Sequence, residues 1–168
     1  VKVTYKFWAY QPVFHYYNLL YWFFPIGIIN KNLPESNKYC NFINITCKNF
    51  FDYGEKDIDN FVNLIKKNYN RNKDANYLPD KNMFTQYFTG HLHKSYIAVY
   101  NKPEYKMENN NISTHNKYIG IITGKPINIT INKKIKYNGY YVDFLCVDKD
   151  NRSKNIAPEL IQTYEYTQ

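Results

Sequence analysis

The sequence lacks the marks of several common protein classes. Its 168 residues include three cysteines, Cys40, Cys47 and Cys146, with no C-x-x-C pair. An odd count at such spacing argues against a disulfide framework and against a sulfur-ligated zinc site, and it fits a reducing, cytoplasmic compartment. No signal peptide is expected, so N-x-[ST] triplets such as those at Asn44, Asn111 and Asn128 read as chance in an Asn-rich sequence. Acidic residues are short: 14 against 22 Lys and Arg, a net charge of +8. Such a surplus attracts nucleic acid, anionic lipid or a phosphorylated ligand, although solubility and compositional bias explain it equally well. No run of five or more Lys or Arg forms a basic tail. The strongest apolar stretch, residues 14–29, is short for a membrane span and is interrupted by His15, Asn18, Pro25 and Gly27. A packed cover over a core is expected there, not an integral membrane segment. No internal repeat or low-complexity linker divides the chain, which reads as one domain, 1–168.

What is present suits a globular protein: 44% apolar residues, with 19 Tyr and 11 Phe among them. Residues 1–13 read as an extended arm ending in Gln11-Pro12-Val13. Ile58, Phe61, Val62, Ile65 and Tyr69 recur at helical steps, which predicts a helix over 57–69 with Asp57 as its N-cap. The polar residues 70–76 predict a loop. A weaker helix is expected over 79–88, with Pro79 in its first turn. Three strands are expected, over 95–100, over 117–123 with 127–131 continuing or bending it after Pro126, and, most strongly, over 140–147, and the polar residues 101–116 read as a mobile hairpin loop. A helix over 155–166 closes the order. Helix, helix, strands, helix predicts an α/β (α+β) domain, a mainly antiparallel sheet flanked by helices.

The chemistry is concentrated where the last strand, Phe144-Leu145-Cys146-Val147, runs through a polar loop into Arg152-Ser153-Lys154-Asn155-Ile156-Ala157-Pro158. A helix start presents unpaired N–H groups and partial positive charge, a ready site for phosphate. Arg152 and Lys154 add charge, Ser153 adds a hydroxyl, and small Ala157 lets a ligand approach the backbone. Physics alone leaves two readings open, a pyrophosphate cradle or an ordinary strand–turn–helix with surface basic residues.

The pattern F-L-C-V-x-x-x-x-R-S-K-x-x-A-P-x-L-I over residues 144–161 resembles the signature of the glycylpeptide N-myristoyltransferases, whose fold is a doubled GNAT acetyltransferase fold. Tyr5 to Val13 resembles that family's aromatic F-W-x-x-Q-P-V arm, Gly120 to Pro126 its G-F-I-S-x-x-P strand, and Asn68-Tyr69 the Asn-Tyr that closes its first helix. The resemblance implies an acyltransfer domain with myristoyl-CoA as co-substrate and neither metal nor other cofactor. Peptides or proteins with an N-terminal glycine are the acceptors it implies, and nucleic acid is no partner. By the same resemblance Lys6, Phe7 and Trp8 pack on the CoA. Phe144, Leu145, Cys146 and Val147 line the donor site, and Arg152, Ser153, Lys154, Asn155, Ile156, Ala157 and Pro158 take its phosphates. The backbone N–H groups of Phe144 and Leu145 are the implied oxyanion hole for the thioester, and Asn68 and Tyr69 lie on the peptide side. Cys146 is not expected to be a nucleophile, because the family transfers the acyl group directly.

The departures are specific. Asn155 stands where the family usually has a basic residue, and Asp143 stands where it has Asn, so a carboxylate there needs a partner. The loop Asn70-Arg71-Asn72-Lys73-Asp74 has one acid where the family has an acidic peptide-receiving loop. Residues 14–50 scarcely resemble the family. The chain begins at Val1, and the resemblance stops before the family's second half, which ends in the carboxylate that acts as base. A missing C-terminal half is therefore expected: a fragment, a degenerate pseudoenzyme or one chain of a split enzyme. The alternatives are a non-catalytic acyl-CoA-binding module, a basic nucleic-acid or membrane-binding protein, and a generic acetyltransferase. The last is disfavoured because Ala-Pro replaces a Gly-rich phosphate loop.

Overall fold

The computed structural model describes residues 6–9, 11, 19–24, 32–69, 77–108 and 111–168. The chain divides into two compact units, 1–35 and 36–168.

In the first unit, α1 (Lys6–Ala9) and α2 (Leu20–Phe23) are single helical turns. An extended arm is thus not what residues 6–9 form. Leu19, Leu20, Trp22, Phe23 and Phe24 are exposed. Residues 14–18 and 25–29, the rest of the apolar stretch 14–29, lie outside the described residues.

The second unit is a four-stranded antiparallel sheet in the order β1-β2-β3-β4, covered by helices on both faces. Its elements are β1 (Ile45–Asn49), α3 (Glu55–Asn68), α4 (Lys81–Phe88), β2 (Tyr96–Glu108), β3 (Asn111–Ile131), β4 (Ile135–Val147) and α5 (Ile156–Thr167). This is the antiparallel α/β layout that the sequence predicts, with one strand more.

α3 forms because Ile58, Phe61, Val62 and Ile65 return to one face and are buried there. The helix starts two residues earlier than predicted. Gly54 is the N-cap, and Asp57 sits inside the first turn, where its Oδ2 accepts the Gly54 N–H at 3.1 Å. α4 likewise starts after Asp80, whose carboxylate accepts the Met83 N–H at 2.7 Å, so Pro79 precedes the helix. The two helices cover one sheet face with Phe61, Phe84 and Phe88.

α5 covers the other face. Leu160 lies over Gly120, where an added Cβ would be 2.8 Å from its Cδ1. Tyr164 lies over Gly124, and its hydroxyl leaves no room for a side chain there. Glycine at these two β3 positions is what lets the helix sit close to the strand.

The largest departure from the sequence reading is the sheet itself. Residues 101–108 and 111–116 are not a loop; they continue β2 and β3 as a paired ribbon from Asn101↔Tyr118 to Glu108↔Asn111. The register shifts at Tyr100/Asn101, where the Asn101 amide donates to Thr46 Oγ1 at 3.1 Å. β3 runs unbroken through Pro126, and β4 begins five residues earlier than expected.

Candidate functional site

β4 ends in a bulge. Ile121 pairs with Cys146 and Thr123 with Asp143, so Phe144 and Leu145 together oppose the single residue Ile122. Phe144 takes the strain, with φ at +49°, in the left-handed region that aromatic residues rarely adopt. The extra residue turns two successive side chains, Asp143 and Phe144, towards α3 and α4. Phe144 is buried with its ring 5.5 Å from Tyr69, 5.8 Å from Tyr77 and 5.3 Å from Tyr87. Leu145 packs in the opposite layer, under α5.

Asp143 finds the partners a half-buried carboxylate needs. Tyr69 Oη donates to its Oδ1 at 3.1 Å and Tyr87 Oη to its Oδ2 at 3.0 Å. Its own neighbour, the Phe144 N–H, donates to Oδ1 at 2.7 Å. Lys125 Nζ lies 3.6 Å from the centroid of the Tyr87 ring. Burial, and then the Asp143 charge, raise the Tyr69 hydroxyl to about 12. The same two causes push up Tyr77, and Tyr87 is raised by burial together with its Asp143 hydrogen bond. Neutral hydroxyls donating to the Asp143 carboxyl oxygens are therefore the arrangement at neutral pH.

From the bulge the chain runs through a 3₁₀ turn (Lys149–Asn151) to the start of α5. Asn68, the last residue of α3, braces this turn. Its Oδ1 accepts the Lys149 N–H at 3.1 Å, and its backbone carbonyl accepts Arg152 Nη2 at 2.9 Å. Arg152 Nε also reaches the Val147 carbonyl, at 3.3 Å. Lys154 Nζ donates to the Asp150 carbonyl at 3.1 Å and to Asn151 Oδ1 at 3.3 Å. Both cations are thus pinned to the turn while their exposed heads keep further donors for a ligand.

Ser153 and Asn155 both adopt left-handed backbone, φ +63° and +60°. They wrap the chain around the opening of α5, and the Asn155 side chain does not cap it. The first-turn N–H groups of Ile156 and Ala157 therefore have no intrahelical acceptor, Pro158 has no N–H to leave over, and Arg152, Ser153 and Lys154 lie exposed just before them. Exposed cations and unpaired helix N–H groups are thus gathered at one place.

The residues predicted from sequence fall into four groups. Arg152 to Pro158 form this single turn and helix start. Phe144, Leu145, Cys146 and Val147 lead into it, with the Cys146 side chain directed to the core, its Sγ 3.9 Å from the Leu64 carbonyl. Burial pushes that thiol up to about 11, which suits a structural cysteine. Asn68 and Tyr69 stand between turn and bulge, and both side chains are engaged internally. Lys6, Phe7 and Trp8 belong to the first unit, where Phe7 is buried, Trp8 is 45% exposed and their rings meet edge-on at 5.1 Å. The predicted peptide-receiving loop at 70–74 lies outside the described residues. Sequence reasoning missed Tyr77, Tyr87 and Lys125. Nothing local marks them, since they meet Asp143 and Phe144 only through the fold. Among the described residues no cluster of His, Cys, Asp and Glu could hold a metal ion, and no helix is long and apolar enough to cross a membrane.

Residues 31–167 match the model of a family described as the N-terminal domain of myristoyl-CoA:protein N-myristoyltransferase. A protein of Amsacta moorei entomopoxvirus, provisionally named glycylpeptide N-tetradecanoyltransferase, is 36% identical over 121 residues, which is 62% of this chain and 40% of that protein. Two crystal structures of Saccharomyces cerevisiae N-myristoyltransferase with bound myristoyl-CoA superpose with TM-scores of 0.66. One has 19% identity and covers 98% of this chain and 37% of the yeast chain. The other has 21% identity and covers 96% and 35%. At those identities the likeness is one of fold, and the chain spans well under half the length of these relatives.

Proposed function

The chain belongs to the myristoyl-CoA:protein N-myristoyltransferase family, matching its N-terminal domain, and from that premise we propose that it holds the acyl-CoA donor of a glycylpeptide N-tetradecanoyltransferase. The observation that carries the reading is the α5 opening. Two left-handed residues, an uncapped helix start and two pinned cations meet within residues 152–158, where a CoA pyrophosphate would be bound by N–H groups, Arg152 and Lys154. The strand leading into that turn would carry the pantetheine towards the bulge, so that the thioester carbonyl meets the N–H groups of Phe144 and Leu145.

In the reaction so placed, an acceptor glycine amine attacks the thioester carbon. The C–N bond forms, negative charge gathers on the carbonyl oxygen beside those N–H groups, and collapse breaks the C–S bond and releases the CoA thiolate. The proton lost by the amine goes to a base that the family supplies from its second half. Cys146 takes no part.

One observation favours a second reading, a donor-binding module without catalysis. The Phe144 N–H is already held by Asp143 Oδ1 at 2.7 Å, and a carboxylate there opposes a developing oxyanion. For Phe144 to serve, Asp143 has to release it.

Calorimetric titration with a non-hydrolysable myristoyl-CoA analogue, with acetyl-CoA and free CoA as comparators, tests the proposal. Binding that prefers the myristoyl form and falls at least about tenfold in Arg152→Ala/Lys154→Ala supports it. Folded protein that binds none of the three ligands overturns it. Transfer of label to a glycine-terminated peptide then separates the enzyme from the module.

A further inference from the structure

The β3–β4 hairpin carries an amphipathic end that the donor site does not use. Ile127, Ile129 and Ile131 follow Ile121 and Thr123 at period two along one face of β3. Opposite them on β4, Ile135 pairs with Ile131 and Tyr137 with Ile129, so the ribbon has one apolar face. The loop after α4 reaches only as far as Ile127 and Asn128, which it meets across a cavity of about 200 Å³ lined also by His91 and Leu92. Beyond it Ile131 is 43% exposed, Ile135 61% and Tyr137 48%.

The charge at this end is of one sign. Lys133 and Lys134 form the turn, closed by a 3.1 Å hydrogen bond from the Lys134 N–H to the Ile131 carbonyl, and Lys136 lies on the other face of the ribbon. From Gly124 to Val142 there are four lysines and no carboxylate. Isoleucines in water, rimmed by cations, ask for a partner that is apolar and anionic at once. A second copy would set these lysines against their equals, and a nucleic-acid backbone would leave the isoleucines wet.

We propose that the tip of the β3–β4 hairpin docks on an anionic lipid surface. Ile131, Ile135 and Tyr137 enter the headgroup–acyl boundary, while Lys133, Lys134 and Lys136 meet the lipid phosphates. This surface is independent of the acyl-CoA reading, and its test involves no acyl donor.

The test is flotation of the protein with phosphatidylcholine vesicles, with and without phosphatidylserine, beside gel filtration without lipid and a gel-shift with duplex DNA. Circular dichroism confirms folding of each variant. The docking predicts binding to phosphatidylserine vesicles only, weakened by salt. Lys133→Glu/Lys134→Glu/Lys136→Glu and, separately, Ile131→Ser/Ile135→Ser should each reduce partitioning about tenfold or more. Folded protein that ignores the vesicles, or variants that bind as well as the parent, would overturn it. Dimerisation abolished by the Ile→Ser pair would assign the face to a second copy instead, and DNA binding abolished by the Lys→Glu set would assign it to nucleic acid.

Discussion

Removing the Asp143 carboxylate is the sharpest perturbation the structure offers. Asp143→Ala strips the acceptor from three donors, Tyr69 Oη, Tyr87 Oη and the Phe144 N–H. A hydrogen bond to a charged group contributes about 1.5–3 kcal/mol when well buried. The two tyrosines are only partly buried, so water recovers much of theirs, leaving about 0.5–1 kcal/mol each. The Phe144 N–H sits in a strained bulge beside a buried ring and has less access to water; its loss costs about 1 kcal/mol. The sum is about 2–3 kcal/mol, read from urea unfolding at constant m-value. Asp143→Asn keeps one oxygen and offers an amide that a rotated tyrosine hydroxyl can accept, so its cost falls to about 1 kcal/mol. A cycle of Asp143→Ala with Tyr87→Phe should show about 0.5–1.5 kcal/mol of coupling. If Asp143→Ala lies within about 0.5 kcal/mol of the parent and the cycle is additive, the carboxylate does not organise the bulge and the reasoning fails. Under the acyl-CoA reading Asp143→Asn should also bind the myristoyl-CoA analogue more tightly than the parent and free CoA equally well.

Other consequences can be checked as directly. Gly124→Ala drives a methyl into the Tyr164 hydroxyl and should lower stability by about 1–3 kcal/mol in urea unfolding. Tyr164→Phe removes a buried hydroxyl without a hydrogen-bond partner among the described residues, should be neutral or stabilising alone, and should rescue much of the Gly124→Ala loss. Tyr69 and Tyr118 are both raised to about 12, the first by burial and Asp143, the second by burial and its 2.7 Å hydrogen bond to Asp57. The folded state therefore holds these protons more tightly than the unfolded chain, whose tyrosines titrate near ~10. Their stabilisation is complete below that value and is lost as pH rises towards 12; absorbance at ~295 nm should show late components that Tyr69→Phe and Tyr118→Phe remove. Cys146, buried and pushed up to about 11, should resist a thiol reagent at neutral pH until the protein unfolds, which mass spectrometry of the labelled peptide would reveal.

How far these features were legible in the sequence depends on how local their causes are. The amphipathic period of α3, the apolar run of β4 and the basic strand–turn–helix at 144–161 are each written in adjacent residues, and each falls within the element expected of it, although α3 and β4 start earlier than predicted. Helix starts were misplaced by two residues because Asp57 and Pro79 have two roles each, cap or first turn, and only backbone geometry chooses between them. β1 was missed because five residues of mixed polarity, ITCKN, become a strand only by pairing with Tyr96 to Tyr100. The ribbon of 101–108 and 111–116 was read as a loop for a related reason: its register and cross-strand pairs hold it together, and polar residues carry no signal of either.

The sequence by itself determined the antiparallel α/β class, the family and the residue types gathered at the α5 opening, because those rest on short-range periodicity and on a contiguous run of residue types. Only the tertiary structure decided what Asp143 does. Its hydroxyl partners lie 74 and 56 residues away along the chain, and a one-residue bulge turns the carboxylate and the Phe144 ring to the same face. No pattern of neighbours encodes a meeting made by three separate elements, so the closing of the Phe144 N–H by a carboxylate became visible only when the chain was folded.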